Sequence, residues 1–177
     1  MSDIKIQPFV KDFDGVLSDR RQRIFTFLNT TPVGVLSSLT ASGQAHGSVI
    51  YFEINKQLEV SFLTRSETRK FDNLLHNNQV MLTVFDPVGK TTATITGTAV
   101  PVNSDYEINV IAANMLNASW RSKNTGALPI TKLDAGSYAA FRICPDQIRM
   151  AVYGRSAAGG NYSDIFETIE SFDLGTS

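Results

Sequence analysis

The sequence predicts a mainly β protein: a six- to seven-stranded antiparallel barrel, closed or nearly closed, with a few peripheral α-helices. Three observations lead there. Short runs of β-branched and apolar residues recur along the chain, as in Leu58, Val60 and Phe62 alternating with Glu59, Ser61 and Leu63. Turn-forming clusters separate these runs at hairpin distances, at Thr40-Ala41-Ser42-Gly43, Asn55-Lys56 and Asp86-Pro87-Val88-Gly89. The strands come in hairpins with helices inserted between them, which suits an antiparallel sheet curling on itself.

In chain order, a helix is expected over 18–29, where Ile24, Phe25, Phe27 and Leu28 lie among charges. Thr30-Thr31-Pro32 ends it, since the residue before a proline avoids the helical region. Strands follow over 33–39, 49–54 and 58–64. A short helix is expected over 68–77, with Thr68 as its cap and Phe71, Leu74 and Leu75 on its apolar face. Two more strands, over 80–85 and 92–100, flank the Asp86–Gly89 turn. Ser104-Asp105-Tyr106-Glu107 is a capping-box pattern and opens a helix to about residue 116. Residues 117–135 read as irregular, 138–143 and 147–153 as two strands, and the segment around 166–172 as weakly helical. The expected organisation is one domain over 1–177, with its core at about 18–153 and a flexible or helical tail over 154–177.

Bulk composition excludes several classes. The chain has 177 residues, 42% hydrophobic and 19% charged, as in an ordinary globular domain. A formal net charge of -1 gives no general attraction to nucleic acid or anionic membranes. No apolar run is long enough for a membrane-spanning helix, and the start lacks a secretory pattern, so a cytoplasmic location is expected. The single cysteine, Cys144, allows no internal disulfide and has no base beside it in sequence. His46 and His76 have no companion ligands at metal spacing, so no metal site is expected.

The densest chemical signal is Thr64-Arg65-Ser66-Glu67-Thr68-Arg69-Lys70, which leaves a strand and opens a helix. Free N–H groups at a helix start, a capping hydroxyl and two cations in the first turn make an anion cradle. Cations there oppose the helix dipole by roughly 0.3–1 kcal/mol each, and a bound phosphate reverses that penalty. Local sequence alone favours the plainer alternative, a solvated turn that happens to be basic.

From Ser48 to Gly97 the chain resembles the pyridoxamine 5′-phosphate oxidase family of flavin-binding split β-barrels. The features that carry the resemblance are Phe62-Leu63-Thr64, Thr68-Arg69-Lys70, Asn77-Asn78, Val80-Met81-Leu82 and Thr96-Gly97, in the family's order and spacing. The resemblance implies flavin mononucleotide (FMN) as cofactor, with Arg69 and Lys70, beside Thr68, on its phosphate. It places Leu63 and Thr64 against the ribityl chain or ring, largely through backbone, and Ser48, Val49 and Ile50 along the ring. Thr92 stands where the family usually has glutamine. Trp120-Arg121-Ser122-Lys123-Asn124-Thr125 is similar to a segment that reaches the flavin from the partner subunit, so Asn124 and Thr125 are expected there. A homodimer with flavin sites at its interface is also implied.

The chain departs from the family's oxidase pattern at informative places. Ser48 replaces an arginine, Glu53 replaces a lysine that helps hold the substrate phosphate, and Ala151 stands where a tryptophan is expected. A carboxylate at 53 would repel a phosphate ester. Ser156-Ala157-Ala158-Gly159-Gly160 stands in place of the family's Arg-Leu-His-Asp-Arg stretch. Oxidation of vitamin B6 phosphates is therefore not expected. The resemblance implies an FMN-dependent oxidoreductase acting on a small molecule or a quinone-like acceptor. The alternatives are a flavin-binding electron carrier and a split barrel that uses deazaflavin F420 or haem.

Overall fold

The computed structural model describes residues 17–121, 138–153 and 164–170. In order they form α1 (Leu17–Thr30), β1 (Val33–Leu39), β2 (Ala45–Tyr51), β3 (Glu53–Ile54), β4 (Val60–Arg65), α2 (Arg69–His76), β5 (Gln79–Asp86), β6 (Thr91–Val102), α3 (Asp105–Arg121), β7 (Tyr138–Tyr153) and β8 (Asp164–Glu170). Every pairing is antiparallel, and the sheet order is β2-β1-β5-β6-β7-β4-β3, with β8 beside β7. The architecture is the expected one: mainly β, a curled sheet consistent with a split barrel, and three helices.

The sheet's two ends are neighbours in the chain. The strand expected over 49–54 is broken at Phe52, so β2 pairs with β1 while β3 pairs with β4. Phe52 is buried, and its N–H donates to the Pro32 carbonyl at 3.1 Å, which fixes the crossing point. The reversal at Asn55-Lys56 then forms as expected. Asn55 Oδ1 accepts from the Gln57 and Glu59 N–H groups, both at 3.0 Å, and buried Leu58 takes a φ of 64°.

The two strands expected over 138–143 and 147–153 are one strand, β7, which pairs with β6 along nearly its whole length. On the other edge β4 takes 138–143 and β8 takes 147–153. The fork falls where the register slips against Thr96/Gly97, and there Pro145, which lacks an N–H, sits at the bulge. Residues 164–170, which overlap the segment expected as weakly helical around 166–172, form β8 because the open half of β7 offers backbone partners that a weak helical preference cannot match.

The interior is filled by alternate residues, among them Leu36, Phe62, Leu82, Ile95, Phe141 and Ile148, with Ile24 and Leu28 of α1 covering one side. A second cluster joins Ile111 and Met115 of α3 to Val102 and Ala140. The helix at 104 starts as its sequence predicts, with the Glu107 N–H donating to Ser104 Oγ at 3.3 Å. It runs on to Arg121, past the expected end near 116.

α2 spans the two ends of the sheet, touching both β1 and β4. Its buried face differs from the expected one. Leu74 is buried and Phe71 packs on the core, but Leu75 is 61% exposed and Asn73 takes the inward place. Asn73 Nδ2 donates to Ser38 Oγ at 3.1 Å, and both side chains are buried.

Two stability outcomes follow from these contacts. A Cβ on Gly97 would collide with the Cys144 carbonyl oxygen and sit 2.9 Å from Pro145 Cα. Gly97→Ala is therefore expected to lose about 1–3 kcal/mol in urea unfolding. Asn73→Leu removes the donor to buried Ser38, which keeps only its 3.5 Å bond to the His46 carbonyl, and is expected to cost about 1–3 kcal/mol by the same measurement, while Leu75→Ala costs much less.

Candidate functional site

The sheet leaves a gap where its ends meet. β2 and β4 approach each other, but among the described strands β2 pairs only with β1, and residues 62–65 of β4 pair only with β7. Each strand thus turns an edge of backbone N–H and C=O groups toward the gap, and such groups call for a partner. α2 begins at the mouth of this split.

Thr68 caps α2 as expected. Its Oγ1 accepts from the Phe71 N–H at 3.3 Å, donates to the Arg65 carbonyl at 2.8 Å, and lies 3.0 Å from Thr64 Oγ1. These contacts use the full capacity of a hydroxyl, so Thr68 shapes the turn and has no bond left for an anion. The Arg69 and Lys70 amides, by position, have no intrahelical acceptor. Their side chains differ: Arg69 is exposed, whereas half-buried Lys70 holds Nζ 5.9 Å from the centroid of the Phe62 ring. Burial pushes the Lys70 ammonium below the ordinary lysine range, which a bound anion would reverse. Arg65 pairs with Glu67 at 3.2 Å, so these two charges largely offset each other.

The remaining expected residues fall on both faces of the sheet. On β2, His46, Ser48 and Ile50 point inward, while Val49 points outward and is 64% exposed. A single ligand can therefore meet 48–50 together only through backbone. On β4, Thr64 faces α2, whereas Leu63 packs under α3 and can contribute only its peptide groups to the split. Thr92 lies on the outward face between Phe85 and Ala151 on the neighbouring strands. Thr92 and Ala151, two of the positions where the sequence departs toward small residues, are thus direct cross-strand partners. Asn124 and Thr125, like 156–160, lie outside the described residues.

Three polar atoms of the described residues on β2 and β7 are buried without a partner: Oγ of Ser48, which the resemblance already placed along the ring, and His46 Nδ1 and Tyr138 Oη, which no motif singled out as ligand contacts. Tyr138 is the cross-strand partner of Arg65, beside the basic turn. Burial of such atoms unpaired costs about 1–3 kcal/mol each, and the two on the inward face of β2, Ser48 Oγ and His46 Nδ1, mark a place that a polar ligand can complete, whereas Tyr138 shares the α3 side of the sheet with Ala140. Among the described residues no group of His, Cys, Asp and Glu could hold a metal ion. The Cys144 thiol is pushed up by burial and by neighbouring carboxylates, which makes it a poor nucleophile. No described helix is long and apolar enough to cross a membrane.

Comparisons with known proteins agree with this fold. Among solved structures, a haem-binding protein from Mycobacterium smegmatis superposes with a TM-score of 0.63 at 16% identity, over 93% of this chain and 61% of the other. The chain thus spans under two thirds of that protein's length. A Clostridium acetobutylicum protein related to general stress protein 26, of the pyridoxinephosphate oxidase family, gives 0.62 at 11% identity over 88% and 97% of the two chains. A pyridoxamine 5′-phosphate oxidase-related, FMN-binding protein from Nostoc punctiforme gives 0.51 at 12% identity over 89% and 97%. At these identities the likeness is one of fold. No curated protein matches the sequence. The family profile described as pyridoxamine 5′-phosphate oxidase, however, matches residues 21–151, from α1 through most of β7, and the chain belongs to that family.

Proposed function

We propose that this chain is an FMN-binding flavoprotein that works as an FMN-dependent oxidoreductase on a small molecule or quinone-like acceptor. The observation that carries the reading is the split itself: two open strand edges converge on a capped helix start that bears Arg69 and Lys70. The residues present fit the cofactor. Arg69, Lys70 and their amides suit a terminal phosphate, arginine by a bidentate fork and lysine as a point charge. Peptide groups of 48–50 and 63–64 suit the polar edge of a planar ring, and Ser48 Oγ has bonds to give. Bound FMN would supply the hydride or electron chemistry, while the chain orients it and limits access to one face.

The protein would act as a homodimer in the cytoplasm. An outward apolar face supports pairing: Val35, Val49, Met81 and Phe85 are exposed on adjoining strands, and Phe85 is 56% exposed. Asn124 and Thr125 would reach the flavin of the other subunit. A second reading is haem in the same split. It draws on the haem-binding relative and on the imidazole of His46, whose Nδ1 is buried and unpartnered and which would be the residue to hold haem iron. F420, which also carries a phosphate, could use the same basic turn, and an electron carrier would use the same FMN site.

The visible spectrum of the purified protein and the mass of the released cofactor decide among these. A flavin spectrum with FMN is expected; a Soret band would select haem, and protein that takes up no FMN would overturn the reading. Replacing both Arg69 and Lys70 with alanine should remove about 3 kcal/mol or more of FMN affinity, roughly a hundredfold in Kd by fluorescence titration. Reduction of bound FMN by NADH or NADPH, followed by turnover with a quinone, separates enzyme from carrier.

A further inference from the structure

Residues directly opposite each other on antiparallel strands share a face of the sheet. His46 stands opposite Ser38 and Ser48 opposite Leu36, so both side chains point to the side that the core and α2 occupy. Ser38 is already committed: its Oγ accepts from Asn73 Nδ2 at 3.1 Å and lies 3.5 Å from the His46 carbonyl. Its neighbours on β2 are not. His46 Nδ1 and Ser48 Oγ are closed off from solvent with no hydrogen-bond partner. Asn73 lies four residues past Arg69, about 6 Å along the α2 axis. The basic turn and the orphaned imidazole are thus joined through α2 and a single buried hydrogen bond.

The charge pattern at this end of the sheet is equally uneven. β1 and β2 hold no Asp, Glu, Lys or Arg, and His46 is the one side chain on either strand that can become a cation. On α2, Arg69, Asp72 and His76 are exposed to solvent, and half-buried Lys70 lies against the Phe62 ring. Across the split, Thr64 Oγ1 is engaged with Thr68. An imidazole donates through Nδ1 in one neutral tautomer and through both nitrogens when protonated, and a serine hydroxyl can also donate. A ligand edge rich in acceptors, and able to gain negative charge, is the feature that uses both.

We propose that His46, with Ser48 beside it, is a positioning residue for the flavin ring, and that its Nδ1–H holds the reduced ring more tightly than the oxidised one. This rests on the FMN reading above. Reduction adds electron density to the pyrimidine edge of the ring, and a hydrogen bond to a charged acceptor is roughly twice as strong as one to a neutral acceptor. Arg69 and Lys70 serve the phosphate, whose charge does not change on reduction, so they favour neither state. The selective contribution comes from the ring side, where His46 alone on β1 and β2 can supply positive charge. A chain that favours reduced flavin raises its potential. It is then a stronger oxidant of a small-molecule substrate and a weaker donor to a quinone.

Potentiometric titration of the FMN-loaded full chain against a reference dye reads the ratio of affinities for reduced and oxidised FMN. His46→Leu is expected to weaken reduced FMN about tenfold or more relative to oxidised FMN, which lowers the two-electron midpoint by about 30 mV or more. His46→Asn keeps an N–H donor near the Nδ1 position, and its ratio should stay within about threefold of wild type. Without FMN, His46→Leu should melt no lower than wild type, because it removes an unpaired buried nitrogen and not a bond. Arg69→Ala/Lys70→Ala should weaken both states alike and leave the midpoint where it was. Wild-type protein that takes up no FMN would overturn the flavin reading and this inference with it. If FMN binds, three results overturn this inference alone: an unchanged midpoint in His46→Leu, an equal shift in His46→Asn, or a lower melting point of FMN-free His46→Leu.

Discussion

Strand β7 can serve three neighbours only because β6 comes very close to it at one point. Gly97 passes against the Cys144–Pro145 backbone with no room for a side chain, and the register slips there. The slip divides the far edge of β7 into a half for β4 and a half for β8. With β4 confined to 138–143, the sheet forks, and its other end returns to β4 through Phe52 without pairing along 62–65. The barrel is closed by chain connectivity and by α2, and a split with open backbone edges remains. Unpaired edges are a liability in an ordinary sheet. Here they are the most chemically informative surface of the molecule.

The period of two along β4 then separates two environments. Phe62 and Thr64 face α2 and its basic first turn, while Ser61 and Leu63 face α3, where Glu53, Glu59 and Glu107 lie around Arg142. One strand thus has a cationic pole on one side and an acidic one on the other, although the whole chain carries a formal net charge of only -1. Charge partition on this scale follows from alternation and register. Residues 59 to 64 occupy six consecutive positions, yet they face two different surroundings.

The helices show how local signals fare when packing intervenes. The caps at Thr68 and Ser104 form as their sequences dictate, because each needs only residues within a few positions. Glu107, which a complete capping box would turn back on its own helix, lies 3.6 Å from Arg142 of β7 instead. Leu75 and Asn73 exchange the roles that hydrophobicity assigns them. Ser38 offers Asn73 a buried partner, and the helix turns to use it.

By itself the sequence determined most of the strand runs, the caps, the basic turn after a strand, and the family, because each is written in side-chain type and short spacing. The tertiary structure decided what depends on partners far away in the chain. It joined 138–153 into one strand across Pro145, since β6 continues beside it, and drew 164–170 into β8, since half an edge of β7 was open. It committed the Thr68 hydroxyl to its cap and sent Val49 outward and Ser48 inward. It also enclosed Glu53 between two helices. Long-range register and enclosed volume are set by contacts between distant segments, and no local pattern carries them.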